Sequence, residues 1–128
     1  MDFPDDLRYT REHEWARRKG RNVVVGITEY AQDQLGDVVY LELPDVGDAV
    51  KRGESFGVVE STKAVSELFA PVSGKVVEVN DPLSDAPETV NEDPYEEGWM
   101  IAVEPSDPKE LDALMDAKTY RAFVEEQE

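Results

Sequence analysis

A chain of 128 residues with 40% hydrophobic content and no cysteine has the length of one ordinary domain and is expected to build its own core without disulfide or thiolate–metal staples. The missing cysteines exclude thiol nucleophiles and cysteine-held zinc or iron–sulfur centres, and the single histidine, His13, excludes multi-histidine metal sites and leaves a Ser-His-Asp triad short of parts. With 30 acidic and 13 basic residues, a formal charge of -17 opposes binding to nucleic acid or to anionic membranes.

The acids are spread along the chain, which reads as a heavily hydrated surface and raises the expectation of a high-salt host, where screening blunts self-repulsion. Met1-Asp2-Phe3-Pro4-Asp5-Asp6 lacks the apolar segment of a signal peptide, and no run approaches a membrane span. A soluble, cytoplasmic protein is expected.

In chain order, residues 7–15 place Leu7, Tyr9 and Trp15 as an edge strand interrupted by His13 and Glu14, with His13 read as a surface or cap-bonded imidazole. A basic turn over 17–22 leads to a buried strand at 23–27. Thr28 can cap a short helix through Leu35, which Gly36 would end in a left-handed conformation. A strand at 37–43 stops at Pro44-Asp45, and a compact loop bracketed by Gly47 and Gly53 delivers the chain to a strand at 55–60.

Over about 57–79, two β-branched and apolar runs flank a polar segment centred on Lys63, the pattern of a hairpin presenting one lysine at its turn. Residues 80–98, with Pro82, Pro87, Pro94 and many acids, read as a long surface loop and a possible docking face. The loop lacks a calcium-binding pattern. A last strand covers 99–103. Asp107, Pro108 and Glu110 then form a helix start, with Asp at the N-cap and Pro at the first helical position. Leu111, Leu114 and Met115, followed by Tyr120, Phe123 and Val124, give one helix or a broken pair over about 107–125. The sum is a mainly β fold, a flattened β-sandwich or barrel with one short internal helix and a C-terminal helical segment.

Most lysines are solvated surface charges, so Lys63 needs a chemical argument. A nucleophilic or Schiff-base lysine requires burial or neighbouring positive charge, whereas Glu60 and Glu67 supply the opposite. A lysine displayed on a tight turn suits acylation by another enzyme, after which it serves as the root of a flexible arm.

Here the residues carry a resemblance. Glu60-Ser61-Thr62-Lys63-Ala64, followed by Ala70-Pro71-Val72-Ser73-Gly74-Lys75-Val76, resembles the lipoyl-lysine hairpin of lipoyl carrier domains; biotin carriers usually place Met on both sides of the lysine, which Thr62 and Ala64 do not match. Tyr9-Thr10 with His13-Glu14-Trp15, Val25-Gly26-Ile27-Thr28, Ala31-Gln32 with Leu35-Gly36-Asp37, Leu43-Pro44 with Val46-Gly47, Gly57-Val58-Val59-Glu60-Ser61, Val90-Asn91-Glu92-Asp93-Pro94-Tyr95 and Gly98-Trp99-Met100 together resemble the H proteins of the glycine cleavage system. The ordered set spans nearly the whole chain and is more specific than the hairpin alone.

The resemblance implies one lipoyl-carrier domain over 1–128, of the barrel-sandwich hybrid type, that is not an enzyme by itself. It implies lipoate attached covalently to Lys63 by a lipoylating enzyme, with Glu60, Ser61, Thr62 and Ala64 as the context of the attachment turn. The arm would receive an aminomethyl group from glycine at the decarboxylase (P protein) and deliver it at the aminomethyltransferase (T protein). Dihydrolipoyl dehydrogenase (L protein) would then reoxidise it. The redox-active sulfurs would belong to the cofactor, consistent with a chain lacking cysteine. Glu14 and Glu67 are implied as carboxylates that could hold the loaded arm's cation.

Two positions depart from the family: Gln34 stands where many relatives have histidine, and Thr62 where valine is frequent. The alternatives are a 2-oxoacid dehydrogenase carrier, against which the segments 93–95 and 98–99 and the helical ends argue, a lipoyl relay in which the group on Lys63 is donated onward, and an unmodified binding module that has the fold without the arm.

Overall fold

A computed structural model describes residues 1–127. Two antiparallel sheets carry the fold. One runs in the order β1-β2-β3-β9-β8-β5, built from Arg8–Tyr9 (β1), Glu14–Lys19 (β2), Asn22–Ile27 (β3), Ile101–Pro105 (β9), Gly74–Val79 (β8) and Ala49–Val50 (β5). The other runs β4-β6-β7, from Val38–Glu42, Ser55–Ser61 and Val65–Phe69. The inner faces of both sheets meet in a core that includes Val25, Ile27, Val59, Leu68, Val76 and Ile101, each at most 3% exposed. Burying each such side chain contributes about 1.5–3 kcal/mol against leaving it in water. A second cluster, with Leu7, Tyr9, Trp15 and Tyr120 at its centre, packs the chain ends against β2.

The single edge strand expected at 7–15 is two strands. The backbone turns at His13, whose φ is 72°, so that Tyr9 pairs with Trp15; the alternation of aromatic positions persists across a tight hairpin and disguised it. The basic stretch is likewise strand rather than turn as far as Lys19. The hairpin needs only Gly20 and Arg21, with Lys19 paired to Asn22 and Gly20 at φ 64°, a left-handed position suited to glycine. Arg17 serves the outer face of β2: its guanidinium lies 5.2 Å from the Trp15 ring centroid and pairs with Glu96 at 3.3 Å.

Thr28 caps the helix Glu29–Leu35 (α1) as its residue type predicts, its Oγ1 accepting the Ala31 N–H at 3.2 Å. Gly36 closes it with its own N–H on the Gln32 carbonyl at 3.0 Å. Residues 80–98 differ from the loop expected. They contain a 3-10 turn, Asp81–Ser84, and a one-turn helix, Thr89–Glu92 (α2), that bury Leu83 and Val90 in the core. Two isolated apolar residues in an acidic, proline-rich stretch carry no periodicity, so their burial is a tertiary event. Asn80 closes the segment by donating from Nδ2 to the carbonyls of Glu97 and Trp99 at 2.9 and 2.6 Å.

The C-terminal segment is the broken pair: Lys109–Asp112 (α3) and Ala117–Gln127 (α4). Between them, Met115 exchanges backbone hydrogen bonds with Tyr9 at 2.9 and 3.0 Å, which takes the chain out of helical geometry. Asp116 restarts the helix, its Oδ1 accepting the Thr119 N–H at 2.8 Å. No helix among the described residues is long and apolar enough to cross a membrane.

Candidate functional site

The turn between β6 and β7 is built by Ser61. Its hydroxyl oxygen accepts the N–H groups of Lys63 at 3.2 Å and Ala64 at 3.0 Å, while its own N–H donates to the Ala64 carbonyl at 2.8 Å. A side-chain oxygen thus substitutes for backbone partners that a strand could not supply across so tight a bend. Ser61 is 9% exposed, whereas Thr62, Lys63 and Ala64 all face solvent. Thr62 ties the turn to the rest of the fold by donating its N–H to the Asp37 carbonyl at 3.0 Å.

Among the described residues, no carboxylate lies within ion-pair distance of the Lys63 amine. The side chain is exposed to solvent. Its methylene stem lies along Gly36, where an added Cβ would come within 3.2 Å of Lys63 Cε. Glu60 sits three residues before the lysine on β6, in a cross-strand row with Tyr40 and Val65.

A cleft of about 310 Å3 opens between α1 and β7 beside this turn, with Ala64 and Val65 at the lysine end, Ala31, Leu35 and Ile27 as apolar wall, and Gln34 on the α1 side. Glu12, His13, Glu14 and Glu67 also line it. A larger cleft of about 420 Å3 over the six-stranded sheet, lined by Arg17, Val24, Glu78 and Trp99, shares no residue with the Lys63 turn. Its size alone does not make it the site, because the candidate chemistry begins at the lysine.

The two acids singled out from sequence are placed very differently. Glu14 is 2% exposed. Its Oε1 accepts the Thr10 hydroxyl at 2.6 Å and its Oε2 accepts the Phe69 N–H at 3.2 Å. Burial pushes the Glu14 carboxyl up to about 7, against the opposing pull of those two hydrogen bonds. Glu67 is exposed. It pairs across the strands with Val58 and alternates with the buried Leu68, which puts it on the outer face of the sheet, at the rim of the cleft.

His13, expected as a surface or cap-bonded group, is half-buried in the aromatic cluster. Its Nδ1 lies 2.8 Å from the Tyr120 hydroxyl, which in turn lies 2.8 Å from Thr28 Oγ1, and burial holds the imidazole below its ordinary range. The roles of three participants were not legible in the sequence: Thr10 and Asn91 stood there only as members of the family-like motifs and Phe69 in none of them, whereas Thr10 and the Phe69 N–H hold Glu14 and the Asn91 side chain fastens the segment beside Lys63. A backbone donor and two common polar side chains become recognisable only through what they touch.

The family model described as glycine cleavage H-protein matches residues 7–127. The chain is similar to a glycine cleavage system H protein of Anaeromyxobacter sp., with 83% identity over 128 residues covering all of both chains. It is also similar to one of Myxococcus xanthus, with 63% identity over 124 residues, 97% of this chain and 96% of that protein. Among solved structures, it superposes on the crystal structure of a glycine cleavage system H protein from Mycobacterium marinum with a TM-score of 0.88 and 43% identity, covering 96% of this chain and 99% of the other.

Proposed function

This chain belongs to the glycine cleavage H-protein family, and from that membership we propose that Lys63 is its lipoyl attachment site and that the cleft beside it is where the loaded arm rests. The residues present fit such a group. The amine is exposed on a turn held by Ser61, and the adjoining cleft has an apolar wall for an acyl chain and a carboxylate for a cation.

When bound, lipoate would supply a disulfide able to take up an aminomethyl carbon on one sulfur while the other takes a proton, and, once that group has passed to an acceptor, the dithiol left behind would return to the disulfide by loss of two electrons and two protons. The chain supplies placement. Ser61 and the Thr62–Asp37 hydrogen bond fix the root of the arm. Ala31, Leu35 and Ile27 exclude water from one side of it. Glu14, held by Thr10 and Phe69, presents a carboxylate to an amine at the cleft floor; Glu67 can reach that amine only from the rim. Gln34 offers a neutral amide to the same space.

The partners in this reading are the glycine decarboxylase P protein, the aminomethyltransferase T protein, the dihydrolipoyl dehydrogenase L protein and a lipoylating enzyme, with the chain itself a carrier that turns nothing over alone. The observation that carries the reading is the serine-held lysine at the mouth of a cleft that contains a buried carboxylate. Intact mass of protein expressed with lipoate tests it: one lipoyl increment, located on Lys63, is expected. Its absence under lipoate-replete conditions would overturn the reading in favour of an unmodified binding module.

A further inference from the structure

The shelf on which Lys63 lies is fastened by one side chain from the distant segment 80–98. Asn91 Nδ2 donates to the Gly36 carbonyl at 2.9 Å and to Gln32 Oε1 at 3.0 Å, and its Oδ1 accepts the Val38 N–H at 2.8 Å. The amide can face only one way, because reversing it would set oxygen against the Gly36 carbonyl and NH2 against the Val38 N–H. All the polar partners of the amide therefore belong to α1, the residue that closes it and the first residue of β4. That stretch contains the two groups that meet the lysine turn: Gly36, along which the Lys63 stem runs, and the Asp37 carbonyl, which accepts the Thr62 N–H. Gly36 has φ 82°, a conformation open to glycine; its N–H is held by the Gln32 carbonyl, and Asn91 holds its carbonyl on the other side.

We propose that Asn91 is a positioning residue for Lys63: by clamping the Gly36–Val38 stretch, it holds the shelf and the turn at one separation and so presents the amine in the place where the acylating enzyme meets it. This rests on the reading of Lys63 as the lipoyl site. Asn91 itself makes no hydrogen bond to the turn; it acts through the Gly36 carbonyl and the Val38 N–H. In the step it serves, the neutral Lys63 nitrogen forms an amide bond to the carbonyl carbon of lipoyl adenylate. The bond from that carbon to the phosphate oxygen breaks, AMP leaves, and the nitrogen's proton passes to solvent.

The test uses the full unmodified chain as substrate for a lipoate–protein ligase supplied with lipoate and ATP. Asn91→Asp is isosteric and keeps the acceptor for Val38 but turns the donor into an acceptor facing two oxygens. Asn80→Asp is the matched control, since Asn80 also donates twice to backbone carbonyls but touches nothing near Lys63. Asn91→Asp should raise the KM for the carrier about tenfold with kcat changed less than about twofold, and should speed hydrogen exchange at the Thr62 N–H. Asn80→Asp should lower Tm comparably and leave both readouts at the parent's values.

Equal KM and equal Thr62 exchange in the two variants would overturn the proposal while leaving the lipoyl reading intact. A parent chain that takes up no lipoate on Lys63 would overturn that reading and the proposal with it. Should Asn91→Asp not fold, Gln32→Met removes one acceptor of the clamp and should raise KM in the same direction by a smaller factor; an unchanged KM there refutes the proposal.

Discussion

Glu14 Oε2 accepts the backbone N–H of Phe69 at 3.2 Å, joining the second strand of one sheet to the last residue of β7 in the other. The contact sets a carboxyl group at 2% exposure on the floor of the cleft that opens beside Lys63. Its position makes Glu14 both a structural clasp and a titratable group lining that cleft.

The raised carboxyl has a defined effect on stability. In the folded chain Glu14 keeps its proton up to about pH 7, whereas in the unfolded chain it loses it near the ordinary carboxylate value. Between those limits the native state binds more protons, so its contribution is full at low pH and is lost as pH rises towards 7, by an amount on the order of 3 kcal/mol. Glu14→Gln should remove this slope. Urea midpoints of parent and variant from about pH 4.5 to 8 should diverge through the window, the parent weakening relative to the variant; parallel curves would show that Glu14 titrates normally.

The same ionisation governs retention of a cationic cargo. On the proposed reading, a loaded arm is protected by the charged carboxylate, so release of the aminomethyl group should be slow above pH 7 and faster below it. In Glu14→Gln it should be fast throughout that range, with lipoylation unaffected. Single-turnover measurement of release from the loaded carrier decides this, and equal release by parent and variant would remove Glu14 from the resting site.

Lys63→Arg should fold with a Tm close to the parent's, because the side chain is exposed and forms no ion pair among the described residues. It should take up no lipoate and support no glycine cleavage when combined with the P, T and L proteins, since a guanidinium does not form the lipoyl amide. Intact mass and reconstituted turnover are the readouts; activity retained by the variant would move the attachment site elsewhere.

Ser61→Ala strips the turn of the oxygen that accepts two N–H groups. A loss of about 1–3 kcal/mol is expected, seen as a Tm lowered by several degrees. Hydrogen exchange at Lys63 and Ala64 should accelerate more than exchange in β3, because the loosened element is the turn; uniform acceleration across both would mean that Ser61 only contributes to global stability.

With 30 acids against 13 basic residues, self-repulsion should be relieved by screening. Tm should therefore rise between about 0.05 and 1 M sodium chloride. A flat or falling Tm would count against the high-salt expectation drawn from composition.

Much of the local structure was written in residue types. Thr28 and Gly36 announced both ends of α1, because a hydroxyl acceptor and a glycine at positive φ are local solutions to local needs, although the ψ of -160° at Gly36 departs from the left-handed helical conformation expected. Gly57 to Val79 announced the hairpin and its lysine, because β-branched runs around a polar break leave few other structures. Family likeness, too, could be read from ordered motifs. By contrast, the hairpin at His13 was hidden by an alternation that continues through its turn, and α2 by a segment with a single fully buried apolar residue.

The sequence by itself determined that Lys63 stands on a turn between two strands, that no cysteine chemistry is available, and that any sulfur chemistry belongs to an attached group. Tertiary structure alone decided what surrounds that lysine. It buried Glu14 and left Glu67 at the rim, brought the Phe69 N–H to a carboxylate 55 residues away, and placed Asn91 behind the Gly36 shelf at a separation of 55 residues. The physical reason is range. Caps, turns and strand patterns satisfy their hydrogen bonds within a few residues, whereas burial of a charge and clamping of a backbone depend on partners that only the packing of two sheets brings together.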